Sequence, residues 1–309
     1  MSTHYMSPAA LDRRAIRPYL ALIRAPFLLF TLLVVSVPAA AAIEAGAFDP
    51  ANTALALGSV LFGHVAVNVL NLVSDYRTGI DEATEETPYS GGNDVLTSGA
   101  VTYRRALAFG VGSLLLSGLF VVPLALQFGR VVPFFYAIGA VLVVGYTDVF
   151  ARVGLGEFAC GLGLTFLPTV MVGYVQTGTL TERLLYLSVP MFLVGFNLLL
   201  LNEFPDVEAD RPNGRVNVPI VFGRRRAGQL YVALVGATVA SVLYPIAVGA
   251  LPATVAIAVL PVALLVPVFR GINSGTDPEI TDDELGAHIL WTQATIATLG
   301  AGMLLAAWL

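Results

Sequence analysis

Apolar residues run along this chain in long blocks, and the polar residues collect in the gaps between them. A block of roughly 17–25 apolar residues is enough for a helix to cross a hydrocarbon layer of about 30 Å. Nine such blocks can be marked, at residues 20–45, 52–76, 103–126, 131–148, 156–177, 184–204, 227–249, 252–270 and 287–309. Lipid offers the backbone no hydrogen-bond partner, so each block is expected to be a helix that closes its own bonds. Asp49-Pro50 is a start signal for the second block, with an Asp N-cap and a proline at the first helical position. Pro26, Pro123, Pro168, Pro190, Pro245 and Pro261 are expected to start, end or kink helices, because each removes a backbone donor.

Composition agrees with a bilayer as solvent. The chain is 57% hydrophobic and 12% charged, against about 25% charged in soluble domains, and its mean hydropathy is +0.80. The reading is an all-α polytopic membrane protein, a single domain over residues 1–309. Residues 1–18 carry Arg13, Arg14 and Arg17 and lack a small-residue cleavage site behind a short apolar core, so they read as a retained cytoplasmic segment. All 16 basic residues are arginine. With the N-terminus inside, 14 of them fall on the inner side and only Arg130 and Arg183 on the outer, a strong positive-inside asymmetry. The expected location is the cell membrane, with the inner polar loops facing the cytoplasm. No basic stripe with interleaved aromatics exists, which argues against nucleic acid. A single cysteine, Cys160, excludes a disulfide framework within one chain and is expected to pack between helices.

Two acidic clusters break the apolar pattern, both on the expected inner side. The first runs from Asn68 through Asn71 and Asp75 to Asp81, and the second from Asn202 through Asp206 and Asp210 to Arg215. Carboxylates near a membrane core are costly, about 2.5–3.5 kcal/mol at the centre on insertion scales, so such residues usually have a task. Read as helix, His64, Asn68, Asn71 and Asp75 share one face, as do Asn202, Asp206 and Asp210. Carboxylate and amide oxygens are hard ligands, suited to Mg²⁺ shared with substrate phosphates. A transporter would place its acids near mid-membrane on broken helices; here they lie at helix ends.

The clusters also carry a resemblance. Asn71, Asp75, Gly79 and Asp81 fill the N-x₃-D-x₃-G-x-D element of the UbiA superfamily of intramembrane prenyltransferases. Asn68 and the glycine at Gly79 make this version resemble the 1,4-dihydroxy-2-naphthoate branch, which belongs to menaquinone biosynthesis. Asn202, Asp206, Asp210, Gly214 and Arg215 resemble the second element, N-x₃-D-x₃-D-x₃-G-[KR]. Gly91–Gly99, Tyr146-Thr147, Gly154–Glu157 and Gly173–Gly178 resemble the family's loop and middle regions. Glu203 and Pro205 depart from the naphthoate branch, which usually has Asn and Arg there, and the resemblance implies that they lie near where an acceptor would bind.

What the resemblance implies is a nine-helix bundle around a central cavity that opens to the cytoplasmic side. Its reaction would be the Mg²⁺-dependent transfer of an isoprenyl group from a prenyl diphosphate to a lipophilic or aromatic acceptor. Two or more Mg²⁺ ions would bridge the diphosphate. Asn71, Asp75, Asp206 and Asp210 are the implied metal ligands, followed by Asn68, Asp81 and Asn202. Arg24, Arg77 and Arg215 are assigned to the diphosphate because a guanidinium fork matches phosphate oxygens, and Tyr146 to substrate orientation or to the allylic cation through its ring. Three alternatives stay open: a terpene cyclase using the same metal motifs without an acceptor, prenyl transfer to a glycerophosphate lipid, and a transporter.

Overall fold

The computed structural model describes residues 16–80, 94–274 and 277–309, and every regular element among them is a helix. Among the described residues eight helices are long and apolar enough to cross a membrane. In chain order the elements are α1 (Ala25–Glu44), α2 (Pro50–Thr78), α3 (Tyr103–Phe128), the shorter α4 (Val131–Gly145), α5 (Gly156–Thr177), α6 (Glu182–Asn202), α7 (Arg224–Ala247), α8 (Ala253–Ile272) and α9 (Asp282–Ala306). The block expected to span at 131–148 is therefore cut short. α4 has 15 residues and reaches only about 22 Å at 1.5 Å per residue, because the chain leaves the helix at Tyr146 and turns toward α5.

Local chemistry sets the ends that matter for the site. Asp49 caps α2, its carboxylate accepting from the Ala51 and Asn52 amides at 2.8 and 2.9 Å, with Pro50 at the first position. α2 then runs for 29 residues and stops at Gly79, which adopts φ 80°. Gly214 of the second motif sits at φ 76°. The two motif glycines thus occupy left-handed turns that a side chain would strain. The second motif is not the continuous helix its spacing suggests. α6 ends at Asn202, residues 203–206 form a turn, and a short helix resumes at Val207–Asp210. Pro205 explains the break, since its ring would meet the carbonyl of the preceding helical turn.

Among the described residues α1 opens with a 3₁₀ turn at Ala25–Leu28, and two further helices depart from α geometry over longer stretches. In α5 the stretch Gly161–Phe166 is a π-helix immediately ahead of Pro168, a wide turn that accommodates the proline without breaking the helix. In α8 residues Ala253–Leu265 are wound as a 3₁₀-helix containing Pro261, so 13 residues extend about 26 Å.

The second half packs around one core, where Phe30 and Val34 of α1 meet Leu187 and Met191 of α6, Tyr231 of α7 and Trp291 of α9. Val35, Ala56, Val121, Val132 and Met171 join α1 to α5 in another. Lipid tails are as apolar as leucine, so close van der Waals packing must hold such helices together. α5 and α6 show this directly: a Cβ at Gly195 would lie 2.5 Å from Thr165 Oγ1 and 3.0 Å from Gly161 Cα. At one end of the bundle Arg183 pairs with Glu44 at 2.6 Å, and the Asp49 amide donates to Gln176 Oε1 at 2.7 Å. The acidic clusters lie at the other ends of α2 and α6.

Candidate active site

A cavity of about 300 Å³ lies among α2, α3, α4, α5 and α6. Its wall on α2 extends from Asp75 back to Ser59, about 24 Å along the helix axis. One end is polar and carries Arg24, Asn68, Asn71, Asp75, Tyr146, Asn202, Asp206, Asp210 and Arg215. The remainder is largely apolar, with Val60, Leu114, Phe135, Leu142, Leu167 and Met171. The two motifs, more than a hundred residues apart in sequence, therefore share one lining. Arg77 does not join them: it lies on the exposed side, its Nη2 donating to both oxygens of Asp148 at 2.9 and 2.8 Å, where Ser74 Oγ also donates at 2.6 Å. Asp81 lies outside the described residues. Cys160, expected to pack between helices, is among the residues that line the cavity between them.

Arg215 joins the clusters. Its guanidinium hydrogen bonds Asp75 Oδ1, and its Nε stands 3.4 Å from Asp210 Oδ1, in ion-pair range without hydrogen-bond alignment. Asn217 Nδ2 donates to the other Asp210 oxygen at 3.4 Å. Burial works against a charged Arg215, but the carboxylates of Asp75 and Asp210 outweigh it and raise the guanidinium further above its ordinary range. Burial also lifts the Asp206 carboxyl to about 6, with the charge of Asp210 adding to it, and lifts Asp210 to about 6 against the pull of Arg215. Glu203 is pushed well above the usual carboxyl range by burial and then by Glu157 beside it. Asp148 goes the other way: its burial is outweighed by the Ser74 and Arg77 donors, which hold it low.

The asparagines are anchored by their nitrogens. Asn71 Nδ2 donates to Thr147 Oγ1 at 3.0 Å, and Asn68 Nδ2 to the Ile23 carbonyl at 2.9 Å. Each amide oxygen is thereby left as the acceptor end. Asn202 Oδ1 is buried with no hydrogen-bond partner among the described residues. Arg24 sits in a left-handed conformation, φ 50° and ψ 52°, where helical residues 16–22 give way to α1. A non-glycine residue there costs on the order of 1 kcal/mol, so surrounding structure must hold it beside the cavity. His64 accepts or donates at Nδ1 to Thr31 Oγ1 at 2.6 Å, a helix-to-helix contact within the cavity wall. Glu157, buried in the first turn of α5, accepts the Val218 amide at 2.7 Å and ties α5 to the chain after Arg215.

The donor set suits a hard divalent cation: aspartate and amide oxygens, one of them a buried orphan, with no thiolate or imidazole required. Among the described residues no three Asp, Glu, His or Cys side chains already stand at coordinating spacing, and Arg215 supplies the positive charge between Asp75 and Asp210. That agrees with Mg²⁺, which typically takes one or two protein carboxylates and completes its shell with phosphate and water.

Residues 28–281 match the model of the UbiA prenyltransferase family. A 1,4-dihydroxy-2-naphthoate octaprenyltransferase of Bacillus subtilis is 24% identical over 186 residues, 57% of this chain and 57% of that protein. The alignment thus spans little more than half the length of that relative. Among solved structures, a UbiA homolog from Archaeoglobus fulgidus bound to DMAPP and Mg²⁺ superposes with a TM-score of 0.66 at 18% identity, covering 93% of this chain and 98% of that one. The structure of a digeranylgeranylglyceryl phosphate synthase superposes with a TM-score of 0.65 at 17% identity, covering 95% and 98%.

Proposed function

This chain belongs to the UbiA prenyltransferase family, and from that premise we propose that it transfers an isoprenyl group from a prenyl diphosphate to a lipophilic aromatic acceptor. The observation that carries the reading is the single cavity: both Asn/Asp motifs and two arginines line its polar end, and an apolar wall continues behind them. A diphosphate with a hydrocarbon tail has that same division.

Asp75, Asp206, Asp210 and Asn71, with Asn68 and Asn202, would hold two or more Mg²⁺ ions brought in with the diphosphate; Asp81, the last member of the first motif, is assigned to the same task. Bound Mg²⁺ supplies the positive charge that lets the diphosphate leave. Arg215 and Arg24 fork onto diphosphate oxygens and stabilise the charge that builds there as the C1–O bond breaks. Tyr146 presents its ring to the allylic carbon. The apolar lining keeps water from C1 until the acceptor attacks. Arginine asymmetry supports a site facing the cytoplasm of a cell membrane. The Bacillus relative's name offers 1,4-dihydroxy-2-naphthoate as the acceptor to try first, which would place the chain in quinone biosynthesis.

The test uses detergent-purified protein, Mg²⁺ and geranylgeranyl diphosphate, with and without 1,4-dihydroxy-2-naphthoate, following diphosphate release and the extracted lipids by mass spectrometry. A prenylated quinol that needs acceptor and is lost in Asp75→Asn and Asp206→Asn supports the reading. A terpene made without acceptor would identify a cyclase instead. Turnover unaffected by either substitution would refute the metal-site assignment.

A further inference from the structure

We propose that the apolar end of the cavity measures the donor's tail: a floor carried by Ser59, Ser117, Tyr136 and Met171 accepts about three to four isoprene units and turns away longer chains. The inference rests on the prenyl-transfer reading above and narrows its first substrate.

Away from the polar end the lining stops at Ser59 on α2, Ser117 on α3, Phe135 on α4 and Met171 on α5. Hydrogen bonds tie three of these helices together at that level. Ser117 Oγ donates to the Ser59 carbonyl at 2.7 Å and lies 3.3 Å from the Ser59 hydroxyl, joining α2 to α3. The Tyr136 phenol donates to the Leu114 carbonyl at 2.7 Å, joining α4 to α3. Gly118 makes room for it, since a Cβ there would stand 2.8 Å from the phenol oxygen. These hydroxyls bond within the protein, so they show an apolar tail no unpaired donor. Behind them the bundle is closed by packing. Ala56, Val121, Leu124, Val132 and Val172 are buried in one cluster with Met171, and the Tyr174 ring meets Phe135 and Phe128 edge-on.

The depth of this space fits a short donor. From Asn71, assigned to the metal ions, to Ser59 is about 18 Å along α2, and from Tyr146, assigned to the allylic carbon, to Tyr136 is about 15 Å along α4. Three bonds of an extended chain cover about 3.3–3.6 Å, so the four main-chain bonds of an isoprene unit cover about 4.5 Å. Three units then need about 14 Å and four about 18 Å, whereas eight need about 36 Å. A tail of that last length has to displace the cluster behind Ser59 or fold back on itself, and a close-packed interior resists overfilling. The floor therefore separates farnesyl and geranylgeranyl donors from the eight-unit donor for which the Bacillus subtilis relative is named. Gly63 faces the same space about 6 Å nearer the polar end along α2, a little more than one isoprene unit. A Cβ there would meet Ser117 Oγ at an ordinary 3.7 Å, so a larger side chain at this position raises the floor by about one unit.

The experiment compares geranyl, farnesyl, geranylgeranyl and octaprenyl diphosphates in one detergent, with Mg²⁺ and 1,4-dihydroxy-2-naphthoate, reading kcat/KM from diphosphate release. The unmodified protein is expected to favour geranylgeranyl over octaprenyl diphosphate at least tenfold. Tyr136→Ala and Met171→Ala, which lower the floor, should each shrink that ratio at least fivefold, and Tyr136→Phe, which keeps the ring, should move it less. Gly63→Leu should raise the geranyl-to-geranylgeranyl ratio at least tenfold. Ratios between donors cancel a general loss of activity, and donor partition into detergent is common to all the proteins. Binding is read separately as the rise in unfolding midpoint on adding Mg²⁺ with geranylgeranyl or octaprenyl diphosphate, and the same order is expected. Equal use of the two donors by the unmodified protein, as a tail leaving sideways between helices would allow, overturns the floor while leaving prenyl transfer standing. Ratios unmoved by Tyr136→Ala, Met171→Ala and Gly63→Leu do the same. Absence of diphosphate release with every donor defeats the transferase reading, and the order of the midpoint shifts then decides the floor alone.

Discussion

The contact most exposed to test is Arg215 between the two motifs. Consider Arg215→Gln in the protein without ligands. The side chains of Arg215, Asp75 and Asp210 are 17%, 9% and 8% exposed, so little solvent screening softens the loss. Two unit charges 4 Å apart interact by about 4 kcal/mol at an effective dielectric of 20, and removing one partner of a buried pair typically costs about 3–5 kcal/mol because the other charge is stranded. Here two carboxylates are stranded but both border a cavity that water can enter, so about 3 kcal/mol is the reasoned loss. Asp75→Asn in the same background removes one stranded charge and should restore about half of it. The pair would then show a coupling of at least 1 kcal/mol, in the range expected for directly bonded neighbours. The assay is thermal unfolding in detergent of the parent, both single variants and the double variant. Mg²⁺ with inorganic diphosphate should raise the midpoint of the parent more than that of Arg215→Gln, which lacks the guanidinium proposed to hold diphosphate. Additive losses, with no coupling between residues 75 and 215, would refute the claim that Arg215 balances the first motif.

The other predictions separate cavity residues from their neighbours. Arg77→Ala should reduce turnover less than tenfold, because Arg77 and Asp148 form an exposed pair, 57% and 43% accessible, of the kind worth about 0–1 kcal/mol; Arg215→Ala should lose at least a hundredfold in the same kinetic assay. Gly139 lines the cavity and a Cβ there meets nothing within 4 Å, so Gly139→Phe should shift preference toward shorter prenyl diphosphates, read as the ratio of geranyl to geranylgeranyl turnover. Gly79→Ala, at φ 80°, should destabilise by about 1 kcal/mol, seen as a lower unfolding midpoint with donor affinity retained.

Much of the fold was legible because a bilayer simplifies the code: apolar length gives helices, and Asp49-Pro50 marked the start of α2. The face shared by His64, Asn68, Asn71 and Asp75 was legible for the same reason, since one unbroken helix preserves its 3.6-residue period. The second motif was harder. Equal spacing of Asn202, Asp206 and Asp210 suggested a helix, but Pro205 forces a turn, and the residues converge through tertiary packing. Arg77 and Arg215 look alike in sequence, each a basic residue just after an aspartate cluster. Only the fold shows that Asp148 holds one outside while Asp75 draws the other in. Glu203 was visible as a departure from the family motif, but its proximity to Glu157 depends on α5 and α6 meeting at Gly161 and Gly195, which no local pattern encodes.

Arg215 lying across both motifs has a consequence for the order of events. While it bridges Asp75 and Asp210, the site carries its own counter-ion, and a metal ion arriving alone must compete with a covalently tethered cation. A diphosphate arriving alone meets the aspartates. In the proposed reaction, only the two together would let the Arg215 guanidinium leave the carboxylates of Asp75 and Asp210, which would then be free to hold the ions. On the proposed reading, the polar end would therefore act as a coincidence gate, taking the metal–diphosphate complex more readily than either component alone.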